Sequence, residues 1–172
     1  MVNFRIVEKP AFDVVGPTVW IGGQDNELFG QFWTQCEENG VLSALHSLND
    51  GRIGSQTGSV ILGVSRVEAA PNNRQFYYMI AREVTDANPL PEGMEHYRVP
   101  PCTWAVFECH GKVPEAIVKS EMFAFMEWLP QSGYQHAPAP EMEVYFPDSD
   151  GNTDDCYTEF WLPVVERQLE EL

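Results

Sequence analysis

One order of turn residues and apolar spacing runs through the chain twice, and it narrows the fold more than any single motif does. Residues 4–7 and 12–21 are rich in aliphatic and aromatic side chains and are interrupted at Pro10 and Gly16-Pro17, which predicts a bent or edge strand. A helix is predicted over residues 26–38. Asp25 is placed to cap it, and Leu28, Phe29, Phe32, Trp33 and Cys36 recur at the spacing of one helical face. Asn39-Gly40 stops it. Residues 41–48 add a short helical turn, and the alternating stretches 59–67 and 76–83 predict an antiparallel hairpin.

The second pass repeats this layout. Residues 96–99 and 104–108 are extended and interrupted at Pro100-Pro101. Val113-Pro114-Glu115 opens a helix with proline in its first turn, which continues through Leu129 to a stop at Gln131-Ser132-Gly133. Strands over 141–146 and 156–164 then flank an Asp-rich turn. Punctuation and periodicity repeat, while residue identities hardly do. The predicted class is α+β: duplicated β-α-β-β units, about 1–86 and 94–166, pairing around a pseudo-twofold axis into one antiparallel sheet. Both helices then cover one face and a ligand cleft is left on the other. The length suits a single domain over 1–172.

Charge removes several function classes. A formal net charge of −16 argues against a nucleic-acid surface and against anionic lipid, and attracts cations. Residues 137–172 carry ten acids and one base, Arg167, which also fits a solvated acidic surface. No apolar run has the length of a membrane span and no signal-peptide layout opens the chain, so a cytoplasmic location is expected. Cys36, Cys102, Cys109 and Cys156 form no CxxC pair and read as small buried residues, and the four histidines are scattered. No metal site and no cofactor is expected.

The last two strands carry the candidate site. Alternation puts Tyr157, Glu159 and Trp161 on one face of the final strand and Thr158, Phe160 and Leu162 on the other. A carboxylate between aromatic rings suits an organic cation. It equally describes a solvent-side glutamate with aromatics covering the sheet. In the preceding strand, Met142, Val144 and Phe146 fall on one face and Glu141, Glu143 and Tyr145 on the other. With the apolar faces of both strands turned to the helices, Glu143, Tyr145, Tyr157, Glu159 and Trp161 share the uncovered face, which Trp104 and Glu108 extend. Trp33 and Trp128, on helices, suit either the core or the edge of the cleft, with the core expected.

Four stretches together resemble the GyrI-like, or effector-binding, domain of bacterial transcription activators. They are residues 4–12 leading to Val15-Gly16, Tyr97-Arg98-Val99-Pro100 before Trp104-Ala105-Val106-Phe107, Met142-Glu143-Val144-Tyr145, and Glu159-Phe160-Trp161-Leu162-Pro163-Val164. The resemblance covers nearly the whole chain, and the closing Glu-apolar-x-apolar-Pro is its most specific part. It implies a small-molecule-binding module like the ligand-sensing parts of AraC- and MerR-type regulators. There, a cleft glutamate ringed by aromatics holds cationic or lipophilic drugs. Carried over by position, that glutamate is Glu159, with Glu143 and Tyr145 as the Glu-x-Tyr pair. Tyr157, Trp161 and Trp104 join them from alternation alone. The sequence contains no helix-turn-helix region, so a stand-alone binder with no direct nucleic-acid contact is expected.

Three functions stand beside one another. The first is non-catalytic binding of a lipophilic cation. The second, implied by similar stand-alone domains, is hydrolysis of small electrophiles with Glu143, Glu159 and Tyr145 as acid and base. The third is a protein-interaction module of gyrase-inhibitor type, using residues 148–155 and the acidic tail. A protein partner or a homodimer remains open.

Overall fold

The computed structural model describes residues 2–22, 27–48, 56–57, 60–71, 75–146 and 156–167. In chain order the elements are β1 (Phe4–Lys9), β2 (Phe12–Gly16), β3 (Thr18–Ile21), α1 (Glu27–Glu38), α2 (Val41–His46), β4 (Ile61–Arg66), β5 (Phe76–Val84), β6 (Glu95–Val99), β7 (Cys102–His110) and α3 (Glu115–Phe123). A π-helical stretch, Ala124–Trp128, and a last turn, α4 (Leu129–Gln131), extend α3, and β8 (Tyr134–His136), β9 (Glu141–Tyr145) and β10 (Tyr157–Glu166) complete the chain. The wide turns precede Pro130, which has no N–H to return to the helix. The predicted order is therefore present in both halves. Asp25 and the Asp-rich turn lie outside the described residues, and β8 is a strand that the sequence reading missed.

All ten strands form one antiparallel sheet in the order β1-β7-β10-β9-β4-β5-β2-β6, with β3 on β5 and β8 on β10. The pseudo-twofold passes between β9 and β4. Each half also gives its first strand to the other: β1 pairs with β7, and β6 with β2. That exchange ties the halves together through backbone hydrogen bonds as well as through packing.

The helices cover one face, as expected. α1 and α2 pack over β3 and β5, burying Phe32, Cys36, Leu45, Phe76, Tyr78 and Ile80. α3 packs over β7 and β10, burying Ile117, Ala124, Phe107, Phe160 and Leu162. Gly40, at φ 82, ends α1 in the left-handed conformation that glycine adopts at least cost. Arg82 donates to the carbonyls of Leu45 (2.7 Å) and His46 (2.9 Å), which caps α2.

The helix-free face is not an open surface. Val14, Leu62, Val64, Met79, Ala81, Trp104, Val106, Val144 and Trp161 are buried there in a second core. Val7 of β1 and Tyr97 of β6 come from opposite ends of the strand order and pack on this same cluster, so the sheet curls around it. Glu83 accepts from the backbone of Gln56 (3.0 Å) and from the backbone and hydroxyl of Thr57 (2.6 and 2.7 Å). Both faces of the central strands are thus interior. Cys36, Cys109 and Cys156 are buried, as expected, whereas Cys102 at the start of β7 is only half-buried; burial pushes the Cys109 thiol up to about 11. No helix among the described residues is long and apolar enough to cross a membrane.

Candidate functional site

Cross-strand register lines up Phe107, Phe160, Glu143, Gly63 and Ile80 as neighbours on the helix-covered face. Both ends of this row lie beneath helices. Its middle, in the seam between the two helical layers, is a carboxylate and a glycine. Glu143 Oε1 accepts hydrogen bonds from the hydroxyls of Tyr78 (2.7 Å) and Tyr145 (2.9 Å). From α1, Trp33 Nε1 donates to the Tyr78 hydroxyl at 3.0 Å, and its ring meets that of Tyr145 edge-on at 4.9 Å. Gly63 makes this geometry available: a methyl group there would overlap both Glu143 Oε1 and the Tyr78 hydroxyl.

Among the described residues no Arg, Lys or His pairs with Glu143, and its second oxygen accepts no hydrogen bond. Burial raises its carboxyl above the ordinary glutamate range, against the two tyrosine hydrogen bonds, and the charge of Glu141 adds to the rise. Burial first, and then the charge of Glu143, pushes the hydroxyls of Tyr78 and Tyr145 well up, so both remain protonated donors. Native Glu143 therefore holds its proton to a higher pH than the unfolded chain does. Proton counting then requires this group to lower stability as pH rises from the ordinary glutamate range through its raised native value. Glu143→Gln removes that loss. Its thermal midpoint at neutral pH is expected to exceed that of wild type. The difference should shrink toward pH 4 in scanning calorimetry.

The helix-free face carries the other candidates. Glu159 lies between Tyr157 and Trp161 as alternation requires. Its Oε2 accepts from Arg5 Nη2 (2.9 Å) and the Tyr157 hydroxyl (2.6 Å), and its Oε1 from Trp161 Nε1 (3.0 Å). This carboxylate is buried, neutralised and fully bonded. Trp104 is wholly buried and packs on Trp161 with ring centroids 5.6 Å apart. Glu108 lies opposite Glu159, on the expected face.

These placements correct the shared cleft expected from sequence. Register sets Tyr145 opposite Thr158 and Glu143 opposite Phe160. Directly paired residues share a face, so Glu143 and Tyr145 are separated by the sheet from Glu159, Tyr157, Trp161 and Trp104. Met142 and Val144 turn to the second core instead of to the helices. Trp104 and Trp161 are core residues and do not form an open surface. Trp33 packs on the core beneath α1, as expected, and its indole N–H also joins the Glu143 cluster through Tyr78. Trp128 packs against Phe4 and Phe107, in keeping with its core assignment. Tyr78, Gly63 and Arg5 went unrecognised, because nothing local in sequence marks them; only pairing between distant strands brings them to the two glutamates.

Residues 3–165 match the family model of the GyrI-like small-molecule-binding domain. The transcriptional regulator BrlR of Pseudomonas aeruginosa is 30% identical over 141 residues, which cover 82% of this chain and 47% of that protein. The chain thus spans about half the length of this curated relative. The structure of SAV2435 bound to tetraphenylphosphonium is similar at a TM-score of 0.76 with 23% identity, covering 95% of this chain and 94% of the other. A putative transcription regulation protein from Staphylococcus aureus MU50 is similar at a TM-score of 0.74 with 24% identity, covering 95% and 99%. The EcmrR C-terminal domain is similar at a TM-score of 0.69 with 14% identity, covering 97% and 99%. At these identities the structures establish the shared fold. The family match over nearly the full length establishes membership: the chain belongs to the GyrI-like small-molecule-binding domain family.

Proposed function

We propose that this domain binds amphipathic aromatic cations in the seam between α1 and α3. Glu143 supplies the counter-charge, and Tyr145, Tyr78 and Trp33 supply the ring wall. One observation carries the reading: a part-buried carboxylate is held by two tyrosines and has no cationic partner among the described residues. Leaving such a group unpaired costs stability, and a ligand cation repays it through charge-assisted contact while the rings add cation–π attraction. Glu121 of α3 adds negative potential at Tyr145. The tetraphenylphosphonium held by SAV2435 is a cation of this chemical class, which supports the reading. The regulator BrlR, of which the chain matches about half, supports an effector-sensing role in a larger system.

Fluorescence titration tests the proposal. Tetraphenylphosphonium is expected to quench saturably, with the quench lost in Trp33→Phe, and neutral triphenylphosphine oxide to bind at least about tenfold more weakly. Equal affinity for the two would remove Glu143 as the counter-charge. The hydrolase alternative needs Glu143 and Glu159 to act on one substrate, and their placement on opposite faces works against it. The acidic segment invoked for a protein-interaction module, residues 148–155, lies outside the described residues.

A further inference from the structure

We infer that the helix-free face holds a second site, for a flat apolar carboxylate, at the end of the curled sheet where β1 crosses β7. A cavity of about 400 Å³ opens there, within the range of small-ligand pockets. Alternation along β1 aims Arg5, Val7 and Lys9 at it together, and Val106, Phe146 and Trp161 form its apolar walls. In a chain of net charge −16 this is a local reversal of sign: among the described lining residues, two cations face one carboxylate.

That carboxylate, Glu159, is already saturated by Arg5, Tyr157 and Trp161, so it neutralises one cation and is not available to a ligand cation. Arg5 spends Nη2 on Glu159, and its side chain remains half exposed, at 50%. Lys9 stands with its ammonium 5.3 Å from the centre of the Trp161 ring, and among the described residues no carboxylate lies within ion-pair distance of it. Among the described lining residues, the charge left without an ion-pair partner is that of Lys9, and it sits over an indole. An aromatic acid matches both features: its ring enters against the half-buried Val7 and Phe146 at the rim of Trp161, and its carboxylate meets Lys9 with the exposed part of Arg5. The site that alternation suggested for a cation is thereby assigned to an anion. This inference does not depend on Glu143, which lies on the other face.

The probe is 2-naphthoate, followed by the indole N–H resonance of Trp161 in ¹H–¹⁵N spectra, with 2-naphthamide as the neutral control. Saturable movement of that resonance by the acid is expected, with at least about tenfold weaker binding of the amide. Lys9→Gln should weaken the acid by a similar factor, Lys9→Arg should restore it, and added salt should weaken it progressively. Lys9 is an edge-strand side chain, so these variants keep the fold. Glu143→Gln should leave 2-naphthoate binding unchanged. Absence of saturable binding at millimolar probe overturns the assignment. So does equal binding of the amide, or insensitivity to Lys9→Gln. Loss of binding in Glu143→Gln would move the probe to the helix-side seam and overturn it too.

Discussion

Glu143→Gln is expected to weaken tetraphenylphosphonium binding on the order of a hundredfold, about 2.7 kcal/mol. The substitution keeps the side-chain volume and an oxygen that accepts from Tyr78 and Tyr145, so the wall of the seam survives and only the charge is lost. A part-buried carboxylate is screened far less than a surface one, which places the effect well above that of an exposed ion pair. Glu159→Gln is the matched control. Its carboxylate lies across the sheet and is neutralised by Arg5 at 2.9 Å, so cation affinity should stay within about twofold of wild type. Calorimetric titration of both variants separates the two glutamates. The reverse ranking, with Glu159 dominant, would return the cation site to the helix-free face and overturn the functional proposal.

Gly63→Ala is expected to cost about 2–3 kcal/mol of stability and to weaken the same cation at least about tenfold. Gly63 on β4 is the cross-strand neighbour of both Glu143 and Ile80, and the Tyr78–Glu143 hydrogen bond passes directly over it. A methyl group occupies the space of both oxygens. Glu143 can swing away at modest cost. Tyr78 cannot: its ring is fully buried and packs edge-on against Phe29 at 4.8 Å. The added methyl therefore either breaks the bond or drives the ring against α1. Denaturant unfolding reads the stability loss, and titration reads the affinity. A variant with wild-type values in both would show that the crossing does not set the geometry of Glu143.

Strand and helix positions were legible because each depends on local physics. Proline lacks an N–H, Gly40 tolerates positive φ, and residues such as Leu28, Phe29 and Phe32 must share a helix face. The duplication and the single sheet followed from them. The exchange of β1 and β6 between halves was not legible, since a short strand beside a proline carries no mark of which partner receives its hydrogen bonds. Nor was β8, three residues among prolines.

The site shows the same division more sharply. Within one strand, the two-residue repeat correctly grouped Glu143 with Tyr145, and Glu159 with Tyr157 and Trp161. Which side of the sheet each group occupies is a property of register between strands, and a slip of one residue inverts it. Hydrophobicity normally reveals that phase, because an apolar face is the buried one. Here it could not. Met142 and Val144 are buried in the core of the curled, helix-free face, while Phe160 and Leu162 are buried beneath α3. An apolar set on β9 and an apolar set on β10 therefore point in opposite directions, with both satisfied. Sequence alone determined that two glutamates would each stand among aromatic rings. Only the pairing of Glu143 with Gly63 and Phe160, and of Arg5 with Glu159, decided which of them keeps an uncompensated charge.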